Sequence, residues 1–245
     1  ASAIENRLNL SGGLKAGLSI SSPTDLTLGS QGWNLVDWRY GDRVGVLSLN
    51  AAGTLRINGA LTDGFKDNAQ GIDLGNGQFV ALKDQLQTGT SWSYRLNAGQ
   101  DVLLGADRQI RTGTGQIDIA AGRDVVLATA GSAIYTAGRA DLTQRYGTLK
   151  NLTVANAYFG EYPMDGGDIS LSAGRDVIGA RTGQFFDGWM ARTGNWSNNA
   201  DHTGETPTAW AVALGGPVSG TQGRFEQNIG ALGGGNVTVA AAHDV

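Results

Sequence analysis

IAAGRDVVL, residues 119–127, has five counterparts along the same chain. They are ISSPTDLTL (20–28), LNAAGTLRI (49–57), LNAGQDVLL (96–104), LSAGRDVIG (171–179) and the shorter VAAAHDV (239–245). All six stack without gaps. Each reads as an apolar residue, a spacer, small residues, a polar residue, then Asp or Thr, then an apolar strand. Upstream of the corner the residues alternate: Gln116, Asp118 and Ala120 interleave with Ile117 and Ile119. A period of two means one face in a core and the other in water. The Ala-Gly pairs at 98–99, 121–122 and 173–174 supply a corner without bulky side chains, where glycine is free to take positive φ. Gly99, Gly122 and Gly174, together with Asp25, Asp101, Asp124, Asp176 and Asp244, read as structural turn residues. The Asp is expected to accept backbone N–H bonds within its turn.

The Asp/Thr position falls at 25, 54, 101, 124, 176 and 244, at intervals of 29, 47, 23, 52 and 68. These approximate one, two, one, two and three units of ~23 residues, a period that implies a solenoid. A propeller blade needs ~40–45 residues, too many for the 23-residue interval. The expected fold is therefore all-β: a parallel β-helix with ~23-residue coils and surface loop insertions. About ten coils at ~4.8 Å spacing would make a rod roughly 50 Å long. RADLTQRYGTLKNLTV (139–154) is a candidate intermediate coil, and AIYTAG (133–138) a looser corner. Irregular insertions are expected near 58–91, 155–167 and 180–235, with residues 1–245 forming a single β-helix segment excerpted from a longer chain. The start ASAIENRLNL, which carries no signal features, and the last repeat, cut off at Val245, are read the same way.

Composition agrees with many tight corners. Glycine is 39 of 245 residues, about twice its usual ~7%, while proline is only 4, which argues against a Pro/Gly-rich linker. Charged residues are 16% and the net charge is −4, with no run of Lys or Arg that would mark a nucleic-acid surface. The absence of cysteine excludes a disulfide scaffold, a thiolate metal site and a cysteine nucleophile. No stretch approaches the ~18 apolar residues of a membrane-spanning helix.

The segments SLNAAGTLRINGALTDGF (48–65), LNAGQDVLL (96–104), IDIAAGRDVVL (117–127), GGDISLSAGRDVIG (166–179) and GGGNVTVAAAHDV (233–245) resemble filamentous-haemagglutinin-like large exoproteins. That family comprises adhesins and contact-dependent inhibition proteins exported by two-partner secretion. The resemblance implies a right-handed parallel β-helix, a secreted repeat protein at the cell surface of a Gram-negative bacterium, and an outer-membrane two-partner-secretion transporter as partner during export. A host or neighbouring-cell receptor or glycan is implied as a further partner, and continuation of the same β-helix at both ends. The family's N-terminal NPNL or NPNG motif does not occur, and no toxin-like C-terminal segment is present. What matches is the shaft, so the expected role is structural: presenting distal binding or effector regions. The alternative is a carbohydrate-active enzyme or glycan-binding module on a β-helix.

No catalytic, cofactor or metal site is expected. His243 takes the corner position of Arg123 and Arg175, and His202 has no second His or Cys to join it at a metal. Asp101, Asp124 and Asp176 could stack in a column, as a lyase or glycosidase would require of its carboxylates, but their place after each small-residue corner fits capping. Gly113-Thr-Gly115 and Gly233-Gly-Gly235 lack the Lys-Ser/Thr of a phosphate loop and read as turns. Asn151, Asn195 and Asn236 open short glycosylation-like triplets. The candidates for surface recognition are Phe185, Phe186, Trp189, Trp196 and Trp210, whose bland reading is that Phe185, Phe186 and Trp189 cover the side of the helix. Trp33, Trp38 and Tyr40 stand under the same two readings.

Overall fold

The computed structural model describes residues 16–41, 43–73, 79–140, 162–185, 189–193, 209–212, 216–217 and 225–245. Among them there is no helix; every regular element is a strand. Three parallel sheets stack side by side. The first contains β1 (Ala16–Ser22), β4 (Gly45–Ala51), β9 (Ser93–Ala98), β12 (Ile117–Ala121), β15 (Ile169–Ala173) and β21 (Val237–Ala241), paired in that order. The second contains β2 (Leu26–Leu28), β5 (Leu55–Ile57), β10 (Val102–Leu104), β13 (Val125–Leu127) and β16 (Val177–Ile178). The third contains β3 (Trp33–Asn34), β6 (Leu61–Thr62), β11 (Gln109–Thr112), β14 (Ala133–Thr136) and β20 (Ile229–Ala231). The chain visits the first, second and third sheets in turn and then returns to the first, which is compatible with a β-helix.

The register equals the sequence stacking. Ile20 pairs with Leu49, Leu49 with Leu96, Leu96 with Ile119, Ile119 with Leu171 and Leu171 with Val239. Side chains therefore form columns. Leu47, Tyr94, Ile117 and Ile169 make one; Leu49, Leu96, Ile119 and Leu171 a second; Ala51, Ala98, Ala121 and Ala173 a third, all buried. The second sheet adds Leu55, Val102, Val125 and Val177 to the same core. Each fully buried Leu or Ile stabilises by about 1.5–3 kcal/mol, and in such a stack the sum runs over neighbouring turns. Outward positions of the first sheet include the polar Ser48, Asn50, Asn97 and Asp118, whereas those of the second include the apolar Leu103, Val126 and Ile178. Asn97 donates from Nδ2 to Asn50 Oδ1 at 2.8 Å, and Asn50 donates to Ser19 Oγ at 3.3 Å.

The number of coils differs from expectation. Strands separated by intervals of 47, 52 and 68 residues are direct neighbours, so each interval is one turn carrying an insertion. Six rungs are present among the described residues, about 24 Å from first to last at ~4.8 Å spacing, in place of ten. The excess at 58–91 leaves the stack as the antiparallel hairpin β7 (Phe65–Asp73) and β8 (Phe79–Leu86). Segment 133–138 is not a corner: Ala133–Thr136 is β14 itself, ended by Gly138 at φ 77°. The proposed coil at 139–154 falls largely outside the described residues. Arg139 and Met164 bridge antiparallel across that gap, so the chain returns to the level at which it left. Insertion 180–235 carries the hairpin β17 (Met190–Thr193) and β18 (Ala209–Val212), and β19 (Gly216–Pro217), which pairs with β8.

The middle of the third sheet is buried on both faces, while its edge strands β3 and β20 are at most partly buried. In β11 and β14 every residue is buried. Ile110 and Ile134 face the main core, whereas Ala133 and Tyr135 join a second cluster with Phe65, Leu86 and Phe225. The insertions thus form an outer layer on one side of the stack.

Candidate functional site

The repeated corner is a site built by stacking. Asp25 Oδ1 accepts the backbone N–H of Thr54 at 2.8 Å. Asp101, Asp124 and Asp176 do the same for the N–H of Asp124 (3.2 Å), Asp176 (3.2 Å) and Asp244 (3.0 Å). The Asp caps a backbone N–H, and the donor lies on the next rung rather than within its own turn as the sequence led one to expect. The polar residue before it completes the unit. Arg123 grips Asp101 through both Nε and Nη2, and Arg175 grips Asp124 likewise, the Nε contacts being 2.7 and 2.8 Å. His243 stands in the same slot, with Nδ1 2.8 Å from Asp176 Oδ1. Gly99, Gly122 and Gly174 do not adopt positive φ, contrary to one expectation. They are glycine because the carbonyl of the rung below occupies the place of a side chain: a Cβ on Gly122 would overlap Gly99 O, and one on Gly174 would overlap Gly122 O.

Electrostatics follow the geometry. Hydrogen bonds from Arg123 and Arg175 hold the carboxyls of Asp101 and Asp124 below the usual carboxylate range, against the opposing effect of burial. A general acid needs the opposite shift. These two carboxylates are fitted to fasten rungs, each taken up by one guanidinium rather than gathered with its neighbours in a groove. Depressed folded-state pKa values give stability that is present above the ordinary value near 3.8 and lost as pH falls through the lowered ones. Replacing both arginines (Arg123→Met, Arg175→Met) is expected to lower the urea midpoint at pH 7 and to leave a smaller deficit at pH 2. An equal deficit at both pH values would show that the arginines act by packing alone. His243, Asp176 and Asp244 offer ligand atoms within 4.8 Å of one another, the geometry of a cation site. His243 is already engaged as the histidine version of the Arg–Asp staple.

The aromatic candidates separate. Trp189 packs edge-on against Phe225, centroids 5.3 Å apart, and Phe225 meets Tyr135 at 5.4 Å, so Trp189 covers the third sheet. Phe185 is 76% exposed. Phe186 and Trp196 lie outside the described residues, as do His202, Asn151 and Asn195. Trp210 is placed in β18, opposite Arg192. Asn236 is tied to Asp168, which accepts its backbone N–H at 2.7 Å and its Nδ2 at 3.2 Å.

Beneath this outer layer lies a residue without a sequence signal. Arg111 is buried and donates to Thr62 Oγ1 (3.0 Å), Tyr135 Oη (3.1 Å) and Asp84 Oδ1 (2.6 Å), with its guanidinium 4.1 Å from the centre of the Phe65 ring. Burial opposes its charge; Tyr135 and Asp84 more than compensate and raise its pKa above the ordinary arginine range. Since Asp84 and Phe65 belong to the β7–β8 hairpin, Arg111 fastens that hairpin to the stack.

A second buried centre holds the loop after β3. Asp63 is fully buried; its Oδ1 accepts from Arg39 Nη2 at 3.0 Å and its Oδ2 from the backbone N–H of Trp92 at 2.6 Å. Trp92 Nε1 donates to Trp38 O at 2.6 Å, and Arg39 Nη1 to Leu35 O at 2.6 Å. In the sequence Asp63 shows only as the first half of an Asp-Gly turn, and Arg39 as one charge between aromatic residues. Neither belongs to the repeat. Comparison with protein-family models, with curated proteins and with solved structures finds no match to this chain.

Proposed function

We propose that this chain is a structural shaft segment of a secreted, surface-displayed bacterial adhesin or contact-dependent inhibition exoprotein of the filamentous-haemagglutinin-like kind. The reading is carried by one observation: six copies of the corner motif pair with one another in register, across intervals that share no common length. Such a stack does one thing mechanically, which is to extend, because each rung contacts only its neighbours and offers its own edge to the next. The coil is right-handed, as nearly all parallel crossovers are, and about 23 residues around when free of insertions. Tyr94 and Ile117, partners 23 positions apart, support that circumference. The role is mechanical rather than catalytic; the low pKa of the ladder carboxylates and their capture by arginine favour this over hydrolysis. Absence of cysteine suits passage through an outer-membrane transporter, since no disulfide can close beforehand.

The test is display. Antibodies raised against residues 16–140 should label intact Gram-negative cells that express the parent reading frame together with its outer-membrane transporter, and should fail to label cells lacking the transporter. Labelling only after lysis would overturn the reading.

A further inference from the structure

The loop between β3 and β4 presents aromatic rings to water on a backbone that is tied down. Trp38 is 45% and Tyr40 76% exposed. Among the described residues Trp92 and Tyr94 are buried and Trp189 packs on Phe225, while Phe185 shares the exposure of Tyr40. Loops that expose large rings usually gain by letting them fold back. Here the backbone that carries them is anchored on both sides of Trp38. Trp38 N–H donates to Leu35 O at 2.8 Å, Trp38 O accepts the Trp92 indole N–H, and the intervening Arg39 is locked onto buried Asp63. Asn34 clamps the start of the loop, accepting from Val36 N–H at 3.0 Å and donating to Phe65 O at 3.2 Å. Tyr40 and Arg43 exchange both backbone hydrogen bonds, at 3.0 and 3.2 Å, which ties these two residues together. The Trp33 ring, partly buried against the main core, lies 6.0 Å from that of Trp38 at 33° and supports it from below.

We infer that this loop is a carbohydrate-binding platform, with Trp38 and Tyr40 stacking on the C–H faces of β-linked hexopyranose rings. Three features select that ligand class. Rigid aromatic side chains held in place lose little entropy on binding, so a weak stacking contact is not spent on ordering the loop. The exposed parts of two rings amount to a few hundred Å² at most, below the ~800 Å² that each partner of a stable protein interface buries, but matched to one or two sugar rings. On the same loop Asp37 pairs with Lys66 of β7 at 2.7 Å, and the two side chains remain 72% and 52% exposed. A carboxylate and an ammonium in that position can accept from and donate to ring hydroxyls. Flat C–H faces with hydroxyls at the rim are what β-linked hexopyranosides offer. The site is independent of the shaft reading, since a shaft without it would extend equally well.

Saturation-transfer NMR on the intact chain, with cellohexaose, chitohexaose and lacto-N-tetraose as probes, tests the assignment. At least one of the three should receive saturation, strongest at its axial ring hydrogens. Tyr40→Ala and Trp38→Ala should each weaken binding roughly tenfold, and Tyr40→Phe should retain it. Tyr40 is mostly in solvent, so its variants keep the fold, which thermal melting checks. Absence of transfer to all three sugars overturns the inference, as does transfer unchanged in both alanine variants. A protein captured through Tyr40 and not displaced by the sugars would reassign the patch to a protein contact.

Discussion

Gly122→Ala should cost this protein about 3 kcal/mol or more, for the addition of one methyl group. Gly122 stands at the second of the three Ala-Gly corners, between Gly99 below and Gly174 above. Its backbone N–H donates to Ala98 O at 2.9 Å, while Gly174 N–H donates to Ala121 O at 3.0 Å. The ladder therefore runs unbroken through the corner, and nothing in it can shift without opening hydrogen bonds on two rungs. A Cβ there would overlap Gly99 O and lie 2.9 Å from its carbonyl carbon. The obstacle is backbone, with no rotamer to swing aside. A matched control separates this clash from the general effect of replacing glycine. Gly29, at the end of β2, has no atom within 4 Å of its Cβ position and does not take positive φ. Gly29→Ala should be neutral or stabilise by about 0.4–1 kcal/mol, because it reduces the freedom of the unfolded chain alone. Urea midpoints of the two variants should move in opposite directions, or Gly122→Ala alone should fall. Equal midpoints would mean that the corners tolerate separation of the rungs.

The same corner marks what could be read from the sequence. Aligning Ile20, Leu49, Leu96, Ile119, Leu171 and Val239 gave the pairing of the first sheet residue by residue, because an in-register parallel stack places equivalent residues over one another. Counting coils from the intervals failed, and the reason lies in polymer physics. Closing a loop costs entropy that grows only with the logarithm of its length, so an excursion of forty residues is scarcely harder to accommodate than one of ten. Spacing therefore limits a coil from below and not from above. The partner of each Asp was hidden for a related reason. Local turn chemistry names an acceptor, whereas the donor it serves lies 23 to 68 positions away in sequence and one rung away in space. The outer layer was legible only as irregularity: two insertions from different turns meet where β19 pairs with β8, and no periodicity announces such a meeting.

Arg39→Met should destabilise by about 3–5 kcal/mol, because it strands a carboxylate that has no route to water. The Asp63 side chain is fully buried, and the two donors it accepts are the Arg39 guanidinium and the Trp92 amide. Removing the cation leaves a full charge with one neutral hydrogen bond. Removing the anion as well should repair much of the damage: Arg39→Met with Asp63→Leu replaces a buried pair by apolar groups, a change that is often close to neutral. The double variant should therefore have a higher urea midpoint than Arg39→Met alone, despite carrying one more substitution. Trp92 is the natural reporter, since its indole N–H bonds to Trp38 O and its own amide to Asp63. Its fluorescence should red-shift in Arg39→Met and return part of the way in the double variant. If the two midpoints were equal, the pair would be contributing shape and not charge. Should the prediction hold, the loop bearing Trp38 and Tyr40 is fixed by an interaction outside the repeat, added to a scaffold whose own stacking does not require it.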